Sequence, residues 1–374
     1  MKFLFVIDNL STGGAQRQLV NLAIGLKRRN YVVEVFCYSS GDFLAQPLHE
    51  INVPIHWYIK GGRFSPGVVM FLRKLIDTRH YNLLLSFLTT PNFYSILAGK
   101  IFGTQHLPVL VSERSSDYPG WVSKTEKIVR RLYRLSDHVI VNSNHQRVNL
   151  SSLFPSYSKR ITTIYNGYDL NLFTPSQKEP DNHRLKILVV ASVSPYKNGL
   201  CLIEALRILK NKFALFPRVD WIGQRVMVGN RLTSLLEMEQ ALNLYGLENQ
   251  WRWWDQRIDI INQLYQHDVL VHPSFVEGLP NVVCEALACG RPVIVSNTLD
   301  HPYLVQDGQS GYLFDWQNPS DLAEKIRLFG ELSSDERANL GRNGRRFAEL
   351  HLSMDRYIDE FEKLFLDVIN EGRL

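Results

Sequence analysis

The chain has 374 residues, 45% hydrophobic and 21% charged, and a formal net charge of +5 from 42 basic and 37 acidic side chains. That length favours two domains, each able to bury a large core, and the balance excludes a disordered, collagen-like or disulfide-framework chain. The mild basic excess suits a polyanionic partner or an anionic surface without requiring either, and no nucleic-acid partner is expected.

The first apolar run, Phe3–Ile7, stops at Asp8 after one strand length. It is too short for a signal peptide and reads as a buried strand. No run approaches the roughly 18 apolar residues of a spanning helix, so a cytoplasmic protein is expected, meeting a membrane only at its inner surface. Similar runs follow at Val32–Tyr38, Asn82–Leu88, Val109–Val111, His138–Val141 and Ile161–Tyr165. The polar stretch Pro175–Arg184 (PSQKEPDNHR) has no periodicity and reads as a linker. Beyond it come Lys186–Val190, Val219–Ile222, Trp251–Trp254, Val269–Val271, Pro292–Val295 and Gly311–Phe314. Continuous apolar runs alternating with helix-period stretches predict parallel strands in two doubly wound α/β domains, 1–174 and 185–353. A last helix, about Met354–Ile369, carries Tyr357, Phe361, Leu364, Phe365 and Val368 on one face, and nothing in its sequence says which domain it covers. The four cysteines (Cys37, Cys201, Cys284, Cys289) never form CxxC and read as buried, reduced thiols.

In open α/β sheets ligands bind beyond the carboxyl ends of the strands, so the residues just after each strand are the candidates. Asp8 to Arg17 contains Gly13-Gly14 before a helix, where backbone approaches a ligand closely and a helix N-terminus favours an anion. The spacing is not GxGxxG, and by itself the pair also suits a tight turn. Glu113 and Arg114 follow another strand and suggest a cleft floor, with Glu113 a catalytic candidate; a structural ion pair remains open. In Trp121–Ser136, Lys124, Lys127, Arg130, Arg131 and Arg134 share an arc of about 120° on a helical wheel, with Trp121, Ile128, Val129, Leu132, Tyr133 and Leu135 on the other side. This suits an anionic membrane surface or equally a solvated basic face. Lys197, in Ala191–Gly199, is placed to meet a phosphate as a point charge; taken alone it reads better as an exposed loop lysine.

His272–Gly290 is the strongest local signal. It predicts a helix over about Pro280–Cys289, started by Pro280 and stopped by Gly290, with Glu277 in the loop at its N-terminal pole. Glu285 shares a face with Asn281, so Glu277 and Glu285 can grip different parts of one elongated, hydroxyl-rich ligand. Spacing alone leaves open a capping glutamate and a solvated one.

Glu277-Gly278-Leu279-Pro280-Asn281 with Glu285 to Gly290 and Arg291-Pro292-Val293-Ile294 resembles the EGLPN…EAxAxGxPVI signature of family 4 glycosyltransferases. Gly13 to Arg17 is similar to their GGAER loop, Ile164 to Asp169 with Phe173 to IPNGVD…F, and Gln256-Arg257 to Asp268 and Gln306 to Phe314 to later landmarks, so the resemblance covers nearly the whole chain. It implies a GT-B fold, two Rossmann-like domains facing a central cleft, with a C-terminal helix (about 354–374) crossing back to the first domain. It implies a retaining, metal-independent enzyme without cofactor, moving a hexose or N-acetylhexosamine from a nucleotide sugar to a glycan or lipid-linked saccharide. UDP is the expected carrier, being common in the family. Glu285 would bind ribose hydroxyls, Glu277 would sit by the transferred sugar, and the backbone at Gly278, Leu279, Pro280 and Asn281 would hold sugar hydroxyls or the distal phosphate. Lys197 and the Gly13-Gly14 loop would meet the diphosphate, and Arg257 would lie near the base. Two departures stand out. Ser192 occupies the place of the family's usual arginine, five residues before the lysine, with Arg114 or Arg17 as substitutes. Ser112-Glu113-Arg114 resembles an SERN-type subgroup acting on glycan and lipid-linked acceptors; Arg114 from this segment and Lys124, Lys127, Arg131 and Arg134 from the basic arc are the acceptor or membrane candidates. A nucleotide-sugar epimerase or hydrolase on the same fold, or a non-catalytic partner subunit, is the alternative.

Overall fold

The apolar runs become the strands of two all-parallel sheets in the computed structural model, which describes residues 1–62, 64–103, 106–114, 123–175, 184–225, 230–257 and 259–371, without the side chains of 230–232. The first sheet comprises β1 (Lys2–Ile7), β2 (Val32–Cys37), β3 (Ile55–Trp57), β4 (Leu83–Phe87), β5 (Val109–Glu113), β6 (His138–Val141) and β7 (Ile161–Thr163), ordered β3-β2-β1-β4-β5-β6-β7. The second comprises β8 (Lys186–Val190), β9 (Arg218–Ile222), β10 (Trp251–Trp254), β11 (Val269–His272), β12 (Val293–Ser296) and β13 (Tyr312–Phe314), ordered β10-β9-β8-β11-β12-β13. In each, the order reverses once, between β1 and β4 and between β8 and β11, and such a reversal opens a crevice at the carboxyl edge. Six helices matter below: α1 (Gly14–Arg28), α2 (Lys124–Leu132), α3 (Gly199–Phe213), α4 (Asn281–Ala288), α5 (His301–Leu304) and α6 (Met354–Glu371).

The chain divides into two compact units, one of Met1–Gly167 with the segment from Met354 onward, the other of Tyr168–Ser353. The crossing therefore precedes the polar Pro175–Arg184, of which 176–183 lie outside the described residues. Hydrogen bonds account for its place. Gln18 exchanges two bonds of 3.0 Å with the Gly167 backbone in the first unit. On the other side, Tyr168 N donates to Leu352 O at 2.8 Å, and Arg345 donates to the carbonyls of Leu170, Phe173 and Ala288. α6 lays Tyr357, Phe361 and Phe365 on the core of the first unit, Phe365 with its ring 5.1 Å from that of Phe3. Gly25 permits the approach, since a Cβ there would lie 2.2 Å from Ile358 Cδ1.

Under the first sheet Glu34 is buried and takes bonds from Tyr81 Oη at 2.6 Å and His56 Nε2 at 2.7 Å, with Lys2 Nζ at 3.0 Å and Arg79 Nη1 at 3.3 Å. All four cysteines are free and buried, and burial pushes the Cys201 and Cys289 thiols up to about 12. Among the described residues no helix is long and apolar enough to cross a membrane.

Candidate active site

Lys197 and Glu277 follow the two strands that flank the reversal in the second sheet, β8 and β11. After β8 the backbone runs through Ala191–Ser194 into a turn at Pro195–Lys197, then to Asn198, whose φ of 55° starts α3. Neighbouring loops hold this turn. Val193 N donates to Gln224 O at 3.1 Å, Phe275 N to Tyr196 O at 3.0 Å and Ser274 Oγ to the same carbonyl at 3.1 Å. Gly223 allows the first of these approaches, since a Cβ there would stand 2.0 Å from Ala191 O.

The result is a tight cluster. Lys197 Nζ is ion-paired with Glu277 Oε1, and His272 Nε2 lies 3.0 Å from the same oxygen. The three side chains are 18%, 15% and 3% exposed. Burial alone would raise the Glu277 carboxyl, but the Lys197 charge and the His272 hydrogen bond outweigh it and hold the group well below the usual carboxylate range. Glu277 is thus an anion in a mostly dry setting, beside a cation that a diphosphate can attract.

Helix α4 leaves from this cluster. It starts at Asn281, one residue later than expected, because Pro280 has an extended ψ of 91° and serves as the N-cap; no side chain caps the first turn. Val282, Val283, Cys284, Ala286, Leu287 and Ala288 are buried, so Asn281 and Glu285 form the only half-buried ridge of the helix. Four residues span about 6 Å of axis, a useful separation for a ligand with two polar groups. Asn281 Oδ1 accepts from Tyr168 Oη at 2.7 Å. Leu279 and Pro280 bury their side chains, which leaves only their backbone for a ligand. Arg257 is apart from the cluster. It follows edge strand β10, is bidentate to Asp259 at 2.7 and 2.8 Å, and places its guanidinium 5.0 Å from the Trp254 ring.

In the first unit Gly13 is the extended N-cap of α1, with no side-chain cap, and Gly14 and Arg17 are exposed. Glu113 is fully buried. It accepts from Tyr133 Oη at 2.8 Å and Thr89 Oγ1 at 3.1 Å, and Arg130 Nε is 3.5 Å away. Thr89 follows Leu88, whose φ of 81° at the end of β4 had no signal in the sequence.

Three expectations need correction. Arg114 is not a membrane candidate: it is 9% exposed, bonded to Ser112 and Asn166, with its guanidinium 4.0 Å from the Phe87 ring. Arg130 leaves the basic arc, because it lies at the arc's edge and its long side chain follows buried Glu113 inward. Ile128 leaves the apolar side and is 59% exposed. Lys124, Lys127, Arg131 and Arg134 remain exposed; Trp121 lies outside the described residues. The residue missed by sequence reasoning is His272, whose motif carried no sign that its ring turns to Glu277.

The chain matches the family model Glycosyltransferase Family 4 over residues 12–172 and Glycosyl transferases group 1 over residues 173–347. It is 28% identical over 258 residues to a D-inositol 3-phosphate glycosyltransferase of Thermobifida fusca, covering 65% of this chain but only 58% of that relative's length. It is 24% identical over 391 residues to the N,N'-diacetylbacillosaminyl-diphospho-undecaprenol alpha-1,3-N-acetylgalactosaminyltransferase of Campylobacter jejuni, covering 97% of this chain and all of the relative. Among solved structures, Anabaena HepE in complex with UDP superposes with a TM-score of 0.84 at 21% identity, over 98% of this chain and 100% of that one. Two doubly wound sheets, and family models that run without a gap from residue 12 to residue 347, place the chain among the glycosyltransferases of the GT-B fold.

Proposed function

We propose that this protein is a retaining, metal-independent glycosyltransferase that moves a hexose or N-acetylhexosamine from UDP to a glycan or lipid-linked saccharide. One observation carries the reading: a half-buried Lys197–Glu277 pair at the strand-order reversal, continued by the Asn281–Glu285 ridge. The UDP carrier is supported by HepE, solved with UDP and with UDP and glucose, and the lipid-linked acceptor by the name of the Campylobacter relative.

Breaking the bond between sugar and phosphate builds negative charge on the nucleoside diphosphate and positive charge on the sugar. Lys197 and the uncapped amides at the start of α4 face the first; Glu277, held ionised, faces the second. Attack from the face the diphosphate leaves, helped by that phosphate, retains the anomeric configuration. Glu277 then acts as an electrostatic and hydrogen-bonding partner rather than a nucleophile. Glu285 takes the ribose hydroxyl pair, and Arg257 is assigned to the base.

The test is transfer from a panel of UDP-sugars to a polyprenyl-diphosphate-linked saccharide, with products analysed with and without acceptor. Glycosylated acceptor is expected, with transfer at least tenfold lower in a folded Glu285→Ala variant. Wild-type transfer by that variant would remove Glu285 from the site, and an epimerised or free sugar with no glycosylated acceptor would favour an epimerase or hydrolase.

The acceptor reading extends to α2. On α2, Lys124, Lys127 and Arg131 are exposed with Ile128, which is 59% exposed, and Arg134 and Leu135 are exposed in the short turn that follows. Each cation near an anionic leaflet contributes about 1 kcal/mol. The triple change Lys127→Glu, Arg131→Glu, Arg134→Glu is expected to abolish co-sedimentation with phosphatidylglycerol vesicles; unchanged sedimentation would retire membrane docking.

A further inference from the structure

Glu277 has two donors on one oxygen, and they differ in kind. Lys197 is a half-buried cation on a long side chain, 18% exposed, whereas His272 is the last residue of β11 and only 3% exposed. The His301 ring, from α5, packs edge-on against it, with centroids 5.4 Å apart and an interplanar angle of 89°. His272 is therefore held by packing, whereas Lys197 carries four rotatable side-chain bonds with which to reach a second partner.

The hydrogen-bond pattern assigns the protons. His301 Nδ1 lies 2.9 Å from both the carbonyl and the hydroxyl of Ser296; the hydroxyl spends its own hydrogen on the Ser274 carbonyl, so Nδ1 carries a hydrogen toward them. His301 Nε2 is buried with no partner among the described residues, and burial holds this imidazole neutral, pushed down to about 3. His272 Nδ1 is likewise buried without a partner among the described residues. At His272 the ionised Glu277 oxygen 3.0 Å away can only accept, so Nε2 carries a hydrogen aimed at it.

We propose that His272 is a positioning residue for sugar transfer: its Nε2–H keeps the Glu277 carboxylate ionised and aimed at the sugar once Lys197 turns to the donor diphosphate. This rests on the proposed transferase reading. Without His272, departure of Lys197 would strand a buried carboxylate, which would take up a proton or rotate. The charged and titratable groups that face Glu277 are Lys197, His272 and, behind it, His301.

The test compares His272→Leu with His272→Gln, whose amide restores a donor. Donor-saturated kcat is measured across pH, and UDP affinity by calorimetry. For His272→Leu, kcat is expected to fall at least tenfold with UDP affinity within threefold of wild type. Its acid limb should move to higher pH, since the carboxylate loses a donor that favours its charged form. His272→Gln should recover most of kcat and of the limb. Wild-type kcat and limb in His272→Leu, or equal losses in both variants with an unmoved limb, would overturn the proposal. If His272→Leu does not fold, His272→Asn, whose amide is too short, replaces it: an impaired Asn variant beside a near-normal Gln variant supports the proposal, and equal behaviour overturns it. Glu277→Ala is assayed in parallel, so that wild-type transfer there would mark failure of the Glu277 assignment itself.

Discussion

Replacing Lys197 by alanine is expected to lower sugar transfer about 100-fold or more in a folded protein, a loss of roughly 3 kcal/mol of transition-state stabilisation. Two effects combine. The variant loses the point charge that meets the leaving diphosphate, and it leaves Glu277 buried without its cation. The second effect makes the pair non-additive. Glu277→Ala should cost at least tenfold alone, and the double variant should be less impaired than the product of the two single losses. Wild-type rates in both single variants would sink the site assignment, and strictly multiplicative losses would deny that the two side chains act as a pair.

The second large effect is on stability, away from the chemistry. Glu34 is 4% exposed among four partners, and their bonds and charges outweigh its burial, carrying its carboxyl from the ordinary 4.5 down to about 2. The folded protein thus holds this proton less tightly than the unfolded chain. The associated stability, about 3 kcal/mol, is complete above the unfolded value near pH 4.5 and is lost as pH falls toward 2. Glu34→Gln is expected to be less stable than wild type by about 2–3 kcal/mol at pH 7, in line with loss of one member of a buried charge network, and the gap should close as pH falls from 4.5 to 2. Urea titrations at several pH values measure it. A gap that persists unchanged to pH 3 would show that packing, not charge, makes the difference.

Most of the strands were readable because buried parallel strands are written as unbroken apolar runs, as in Phe3–Ile7 and Val269–Val271. The short β3 was not. Its residues Ile55, His56 and Trp57 are only half-buried at the sheet edge, a few positions after Asn52, whose φ is 55°. The site was readable one loop at a time. Glu285 stands out by its helix spacing from Asn281, Glu277 by its place in the loop at that helix's N-terminal pole, and Lys197 by its strand-to-helix turn. The meeting of Lys197 and Glu277, 80 positions apart, depends on β8 lying beside β11, and pair order in a sheet is not written in local periodicity. The wheel over 121–136 failed for a related reason. It sees direction around an axis and not what lies inside, so it could not know that Glu113 waits beneath Arg130.

The most direct test of the account is calorimetric titration of UDP into wild-type protein and into Lys197→Ala and Glu285→Ala. The account predicts one-site binding by the wild type, weakened at least tenfold in each variant. No binding by the wild type, or equal affinity in all three proteins, would contradict it.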